Sequence, residues 1–483
     1  MSDSDADDAR VDMTTGDIAP KLLALSWPLV AGNLLQTAYN VADLFWVGRV
    51  GEDAVAAVSL MFPTTWMFVS TATGVSAATV ALVSQHIGAD NERTAELAVA
   101  QSVLLAIGLG VALSLLGFAI RRPLVALIGA EGPVYDAALA YLEVILLSIP
   151  LTFLFFAFRA ALRAAGDTRT AMWLVAISAG INIVIDPLFI LGYEPLGIPA
   201  MGVRGAAWAT LLSRGIATVT GVYILVDGGW GIRMRVADLA PDPAMLRELI
   251  DVGYPASLDG LTRSFSAVAL AGIVARFGTV PTAAYGVVIR VMSVSWTVSG
   301  AVGQATATGV GQNLGAGTPD RARSVTWIGT AGTMAALFAF AGVVFAFPGA
   351  TMRLFGVEGA VVAEGIETFR VIAPFWAFFG GLMVVQGGFR GAGQTRVAFL
   401  LSLLSRWVFR IPVALVLAFP LAYGAIGVWW GMAFASVASF VVGVLWFRRG
   451  GWEEGLVDEA DGDEGAVDDQ SVMDREEDVA ADG

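Results

Sequence analysis

Long apolar stretches alternate with short polar ones along most of this chain. A helix needs about 20 predominantly apolar residues to cross a bilayer, and twelve segments meet that requirement. They are residues 18–48, 54–83, 97–119, 137–158, 171–191, 205–227, 252–275, 283–310, 325–347, 366–388, 397–419 and 425–447. The stretch 228–250 breaks the pattern with turn formers and charges, which predicts a linker between two groups of six spans.

The second group of spans repeats the first at an offset of 227 residues. Identical residues at this offset include Pro28 with Pro255, Arg49 with Arg276, Gln85 with Gln312, and Gly88 with Gly315. Six spans per repeat is an even number, so both halves have the same orientation across the membrane. The pattern predicts an all-α polytopic membrane protein with twelve transmembrane helices. They form two six-helix bundles, residues 18–227 and 251–449, related by a pseudo-two-fold along the membrane normal, an arrangement found in transporters.

Charge separates the two ends of the chain from its body. Residues 1–17 carry six acidic side chains and residues 453–483 carry fourteen, so the apolar body is mildly basic. We therefore predict acidic disordered tails at 1–17 and 450–483. Short loops that hold most of the lysine and arginine face the cytoplasm. That bias predicts cytoplasmic termini, a cytoplasmic linker 228–250 and a multi-pass protein of the cell membrane.

Composition narrows the functional classes. The chain is 57% hydrophobic and 14% charged, whereas soluble domains are about 25% charged. It has no cysteine, one histidine and no basic run longer than two residues. Nucleic-acid binding and thiolate metal sites are therefore not expected. No nucleophile–base set or phosphate-binding loop indicates an enzyme, and we predict no catalytic residue and no cofactor.

The first span carries the most informative polar residues. Asp43 lies deep in its second half, and Gln36, Tyr39 and Asp43 share one helical face. A carboxylate at membrane depth costs about 2.5–3.5 kcal/mol on insertion scales and usually marks an ion or proton path. A structural hydrogen bond near the outer interface is the alternative explanation of Asp43.

The fifth span supplies a second acid. Asn182 and Asp186 lie one helical turn apart, and Asp186 precedes Pro187. The repeat places Leu270 opposite Asp43 and Ile411 opposite Asp186, so acids without an adjacent basic partner are concentrated in the first half. That asymmetry predicts a cation site there, for H⁺ or for Na⁺ bound by Asp43, Asn182 and Asp186. The alternative for Asp186 is a helix cap before the proline.

Other polar and aromatic residues are candidates for a substrate cavity between the bundles. They are Asn33, Gln36, Phe156, Trp376 and Phe379. Packing against lipid or core is the alternative for the aromatic residues. Asp259 and Arg263 stand at positions i and i+4, which predicts a local ion pair.

Taken together, these motifs resemble the MATE family of multidrug and toxic compound extrusion transporters over residues 18–449. The residues that carry the resemblance are Pro28, Asn33, Tyr39, Asp43, Gly48, Arg49 and Gly51 of the first span, the Asn182–Asp186–Pro187 motif, and the loops 163–169 and 390–396. The resemblance implies efflux of organic compounds in exchange for H⁺ or Na⁺.

The resemblance also implies particular site residues. Tyr39, Asp43, Asn182 and Asp186 match the cation site of the DinF-like branch, and Thr210 is the candidate for the threonine of that site. The NorM-like branch carries acids in spans seven and ten. Here Arg263 and Phe379 stand at those positions, which favours the DinF-like branch.

The function predicted is therefore secondary antiport of amphipathic or cationic organic compounds by a protein expected to be monomeric in the bilayer. A lipid-linked oligosaccharide or lipid flippase of the same superfamily is the alternative. That function requires a basic cavity for pyrophosphate, for which Arg406 and Arg410 are the relevant residues.

Overall fold

The computed structural model describes residues 10–228 and 232–457, and these are almost entirely helical. Twelve helices in these ranges are long and apolar enough to cross a membrane. They are α1 (Ile18–Val47), α2 (Glu52–Gly88), α3 (Glu92–Leu127), α4 (Gly132–Ala164), α5 (Thr168–Ile190), α6 (Val203–Asp227), α7 (Pro243–Ala275), α8 (Thr279–Gly315), α9 (Pro319–Ala346), α10 (Ala360–Gly391), α11 (Thr395–Ala418) and α12 (Ala425–Arg449). Shorter helical segments are Glu194–Leu196, Val236–Leu239 and Pro348–Arg353. The predicted all-α fold is confirmed.

Two of the spanning helices are irregular inside. In α10, a 3₁₀ turn at Ala373–Phe375 separates Ala360–Ile372 from Trp376–Gly391. Pro374 within that turn has no backbone N–H to continue the α-helical pattern. In α11, a π-helical segment covers Leu404–Arg410. Such segments are rare and often occur at functional sites.

The linker is shorter than predicted. Asp242 caps α7 by accepting hydrogen bonds from the backbone N–H groups of Ala244 and Met245, at 2.9 and 3.1 Å. These bonds satisfy donors that the first helical turn leaves free. The helix therefore begins at Pro243, inside the predicted linker 228–250. Buried Gln101 of α3 holds the linker by donating to the carbonyl oxygens of Asp238 and Ala240, at 2.6 and 2.7 Å.

The two bundles meet through the halves of their helices that lie on the same side as the chain termini, here called the terminal face. The closest approach joins the last turns of α2 and α8. A Cβ atom at Gly88 would lie 2.0 Å from the carbonyl oxygen of Gln312, and one at Gly315 would lie 1.8 Å from that of Gln85. These contacts are reciprocal and relate residues 227 positions apart, which agrees with the predicted pseudo-two-fold.

Polar contacts continue this closure. Arg163 at the end of α4 donates hydrogen bonds across the interface to Gln304 of α8 and, within its own bundle, to Ser76 at 2.7 Å. Thr308 donates to the Arg163 carbonyl oxygen at 3.2 Å. Ser257 of α7 donates to the Thr71 carbonyl oxygen of α2 at 3.2 Å. The interface therefore combines close approaches at glycines with hydrogen bonds between the two bundles.

The predicted disorder of the tails is wrong for the residues next to the helices. Met13 is fully buried, its N–H donates to Gln312 Oε1 at 3.0 Å, and its carbonyl oxygen accepts from Asn313 Nδ2 at 3.1 Å. Trp452 is buried and stacks on Phe447 with a centroid distance of 4.3 Å. Because apolar side chains anchor both segments, residues 10–17 and 450–457 belong to the packed body. Residues 1–9 and 458–483 lie outside the described residues.

The approach at Gly88 can be tested by adding one methyl group. Gly88→Ala requires a backbone shift away from Gln312, so we expect it to separate the bundles at the terminal face. Because the chain has no native cysteine, spin labels can be placed on introduced Glu92→Cys and Asp320→Cys. Double electron–electron resonance should report a longer distance between the two spin labels in the Gly88→Ala variant.

Gly108→Ala in α3 is the matched control, because a Cβ atom there would meet nothing within 4 Å. Its distance distribution should match that of the unsubstituted protein. Identical distributions for all three proteins would mean that the glycine contact does not hold the bundles together.

The linker offers a pH-dependent prediction. Hydrogen bonds from Arg93, one of them 2.6 Å long, hold the pKa of Asp238 below its ordinary value. A lowered pKa adds stability above the unfolded-state value and loses it as the pH falls through the folded-state value. We expect Asp238→Asn to lower the melting temperature slightly at pH 7, with the difference shrinking towards pH 3.

Asp320→Asn is the control for that measurement, because the Asp320 side chain is 95% exposed. A pH-independent effect of Asp238→Asn would contradict the assignment to its charge.

Candidate functional site

The predicted acids converge inside the first bundle, in the half away from the terminal face. Helix α1 packs along α5, which brings Asp43 and Asp186 close enough for their charges to interact. Asp186 and Asn182 are fully buried, whereas Asp43 is half-buried with a buried Oδ1 atom. The sequence suggested that spans one and five contribute to one site because both carry acids that the second repeat lacks. In the fold, these two helices lie side by side.

Tyr39 and Thr210 complete one side of this cluster. Their hydroxyl oxygens are 3.1 Å apart, so α1 and α6 are joined by a hydrogen bond beside the acids. Tyr39 also interacts electrostatically with Asp43 and Asp186. All five residues predicted for the coupling site, Tyr39, Asp43, Asn182, Asp186 and Thr210, therefore come from the facing helices α1, α5 and α6.

Two residues that sequence reasoning missed face the same cluster. Tyr141 of α4 is buried and interacts with both acids. Arg214 of α6 interacts with Tyr39, donates to Gln36 Oε1 at 3.4 Å, and lies 4.6 Å from the Phe155 ring centroid. Arg214 stands one helical turn after Thr210, and an arginine within a span is itself a signal of function.

The cluster has the donor set of a small cation site. Both Asp186 oxygens, Asp43 Oδ1 and the Asn182 amide oxygen are buried and have no hydrogen-bond partner among the described residues. Buried oxygen atoms without partners are costly, and a proton or Na⁺ would satisfy them. The described ranges contain no group of three or more His, Cys, Asp and Glu that could hold a metal ion.

The predicted cavity residues have different environments. Gln36 lies at the edge of the cluster through its contact with Arg214, and Asn33 is half-buried on α1. Phe156 is half-buried beside Phe155, with ring centroids 6.2 Å apart. Phe379 lies at a cavity in the second bundle.

For Trp376 the cavity prediction is wrong. It is 2% exposed and stacks on Phe340 with a centroid distance of 5.8 Å. The indole ring therefore fills the core of the second bundle, where its large apolar area is fully removed from solvent.

The second bundle has a different charge cluster at mid-height. The predicted pair of Asp259 and Arg263 is confirmed at 3.1 Å, but Arg390 and Arg406 also contact Asp259, at 2.9 and 3.1 Å. Asp259 is 2% exposed. One buried carboxylate therefore meets three guanidinium groups, a surplus of positive charge that the i, i+4 spacing did not predict.

Two six-helix repeats that close at one face, with an acidic cluster confined to one repeat, define a membrane transporter. The MatE family model matches residues 28–188 and again residues 255–416, so the chain belongs to the MatE family of multidrug transporters. Each match covers one of the two repeats. The family predicted from sequence is confirmed.

Relatives along most of the chain agree. Probable multidrug resistance protein YoeA of Bacillus subtilis is 28% identical over 86% of this chain and 90% of its own. The FAD transporter of Shewanella oneidensis is 30% identical over 65% of this chain and 69% of its own. A solved structure described as the outward-facing conformation of a multidrug resistance MATE family transporter has a TM-score of 0.84 and 25% identity, covering 91% of this chain and 97% of that one.

The contact between Tyr39 and Thr210 can be measured with a double-mutant cycle. Tyr39→Phe and Thr210→Val each remove the same hydrogen bond, which contributes about 1 kcal/mol. We expect the loss of stability in the double variant to be smaller than the sum of the single losses. Thermal unfolding of the purified protein measures this coupling.

Thr220→Val is the control partner, because Thr220 donates only within its own helix, to Ile216 O at 3.0 Å. Its effect should add to that of Tyr39→Phe. Additive losses for the Tyr39 and Thr210 pair as well would exclude the bond as a stabilising contact.

Proposed function

We propose that the protein is a secondary antiporter that exports amphipathic organic compounds, with its coupling cation bound between Asp43 and Asp186. The observation that carries the proposal is the set of buried, unsatisfied oxygen atoms that α1 and α5 contribute to the first bundle. Burial disfavours ionised carboxylates unless a cation neutralises them. Binding and release of that cation therefore change the electrostatic energy of the bundle.

Coupling follows from the position of the acids. When the site is dry, the two carboxylates favour a shared proton or a bound Na⁺. When a change of access hydrates the site, water stabilises the ionised form and the cation leaves. Tyr39 and Thr210 connect α1 with α6, so that a change at Asp43 is transmitted to a neighbouring helix. The site residues fit either ion, and Na⁺ would use oxygen atoms of Asp43, Asn182 and Asp186.

The access state follows from the closed terminal face. The surplus of positive charge in the short loops supports a cytoplasmic location of that face and of both termini in the cell membrane. Closure there, by contacts such as Gly88 against Gln312, supports an outward-open state. We infer an outward-open monomer of the DinF-like branch.

A second candidate concerns the cargo. The relative named FAD transporter carries a pyrophosphate-containing cargo by its name, and the flippase alternative also requires an anionic one. The surplus of arginine around Asp259 favours cargo with an acidic group over a purely cationic compound. Cation coupling in the first bundle is compatible with either cargo.

The coupling proposal is tested by dye uptake into inverted vesicles under separately imposed H⁺ and Na⁺ gradients. The dye is a fluorescent amphipathic cation. We expect one gradient to drive uptake by the unsubstituted protein, and Asp43→Asn and Asp186→Asn each to reduce its initial rate by about tenfold or more, since each removes one of the ionisable groups.

Asp53→Asn, at an exposed acid in the first turn of α2, is the matched control and should transport normally. Normal gradient-driven uptake by Asp43→Asn and Asp186→Asn would reject the coupling site. Uptake that responds to neither gradient in the unsubstituted protein would reject cation antiport itself.

A further inference from the structure

The arginine cluster of the second bundle is not required by the shared architecture of the two repeats. At the offset of 227 residues, Gly32 corresponds to Asp259 and Gln36 corresponds to Arg263, so the first bundle has no equivalent pair. Arg390 does have a counterpart, Arg163, but Arg163 is bonded to the neutral side chains of Ser76 and Gln304. The charge cluster of the second bundle therefore has no counterpart at the equivalent positions of the first.

Its charges do not cancel. Arginine remains protonated in proteins, so three guanidinium groups around one carboxylate leave two positive charges. Arg406 is 8% exposed and shares Asp259 with two other arginines, so its buried charge is only partly compensated, which is unfavourable. Two of these arginines, Arg263 and Arg406, border a cavity between α7, α10 and α11. The cavity is the place where a further negative charge would lie against them.

The cavity has a volume of about 10 Å³, room for one oxygen atom of an acidic group, and its lining suits an anion. Its polar and aromatic side chains are those of Arg263, Phe379, Gln386, Ser402, Ser405 and Arg406. The residues that line the cavity include no Asp or Glu. The nearby carboxylate of Asp259 is paired with Arg263, Arg390 and Arg406. Guanidinium forks and hydroxyl groups bind carboxylate and phosphate, while an aromatic ring accommodates an apolar group.

The backbone of α11 brings Arg406 to this position. The π-helical segment Leu404–Arg410 changes the angular spacing of its side chains from that of an α-helix. Gln386 of α10 fixes the preceding turn by donating to Ala398 O and Ser402 Oγ, at 3.1 and 2.9 Å. The irregular segment is therefore held by a buried hydrogen-bonded residue that also lines the cavity.

We propose that Arg263 and Arg406 form a binding subsite for the carboxylate or phosphate group of an amphipathic organic molecule, in the second bundle and separate from the coupling cation site. The inference rests on the proposed function in treating this cavity as part of the transport path. It makes a zwitterionic or anionic compound a better ligand than the corresponding cation.

The test compares two dyes that differ in one group. Rhodamine 110 has a free carboxylate, and rhodamine 123 is its methyl ester. Fluorescence anisotropy with the purified full-length protein in detergent, without an ion gradient, gives both dissociation constants. We expect rhodamine 110 to bind more tightly, and Arg263→Gln to weaken its binding by about tenfold, as the loss of a charge-assisted hydrogen bond implies. The affinity for rhodamine 123 should not fall.

Two further variants separate binding from structural support. Asp259→Asn removes the negative charge of the cluster, so it should bind rhodamine 110 as tightly as the unsubstituted protein or more tightly. Arg290→Gln changes the same charge at an exposed position of α8 and should alter neither affinity. A role limited to packing predicts instead that Arg263→Gln and Asp259→Asn weaken both dyes together, and that result would overturn the proposal.

A competition experiment in nanodiscs distinguishes a lipid headgroup from a soluble compound as the source of the anionic group. Competition by phosphatidylglycerol, but not by phosphatidylcholine, would assign the subsite to a lipid headgroup, whereas no competition would assign it to the acidic group of a soluble compound. Failure of rhodamine 110 to bind, or equal affinities for the two dyes, would overturn the subsite.

The anion subsite and the coupling site can be rejected separately, because different measurements test them. Asp43→Asn and Asp186→Asn should leave rhodamine 110 binding unchanged, because they lie in the other bundle. Normal gradient-driven uptake by those two variants would therefore reject the coupling site without affecting the binding result.

Discussion

The close approach of α2 and α8 at the terminal face determines how the rest of the molecule is arranged. Gly88 and Gly315 allow each helix to touch the backbone of the other, near Gln312 and Gln85. Those two glutamines also hold the terminal segments: Gln85 Oε1 accepts a hydrogen bond from Leu456 N–H at 2.6 Å, and Gln312 Oε1 accepts one from Met13 N–H at 3.0 Å. The terminal segments are thereby fastened to the same contact. Because the bundles are in contact at the terminal face, the acidic cluster and the arginine cluster are separated from the solvent on that side.

The two bundles share a backbone plan but differ in charge. The first encloses acids from α1 and α5 together with Tyr39 and Thr210, whereas the second encloses Asp259 among three arginines. In a bilayer each uncompensated charge is costly. A repeat that had diverged without function would be expected to lose such residues. The partnerless acid oxygens of the first bundle and the surplus of arginine in the second support the proposed division of labour, in which one bundle handles a cation and the other an acidic group of the cargo.

Local sequence patterns predicted the helices well because their causes are local. Bilayer thickness sets the span length, and an offset of 227 residues is visible without any knowledge of packing. Helix ends were less accurate. Because Asp242 caps α7, that helix begins inside the predicted linker. Because Met13 and Trp452 are buried, parts of the predicted tails pack against the body. Each boundary was predicted from the composition of its segment. In the structure, a capping hydrogen bond or one buried apolar side chain set the boundary instead.

The sequence by itself determined the twelve spans, the two repeats and the family, since span length, the repeat offset and the motifs carry that information. It also predicted the candidate cation site, with Asp43, Asn182 and Asp186 taken from helical spacing and Thr210 from the family resemblance. Only the tertiary structure decided that Tyr141 faces the same acids, that Arg214 contacts Gln36 beside them, that Trp376 is core, and that Arg390 and Arg406 join Asp259. The physical reason is that these contacts join helices far apart in sequence, and their geometry depends on how the helices cross and on the π-helical segment of α11.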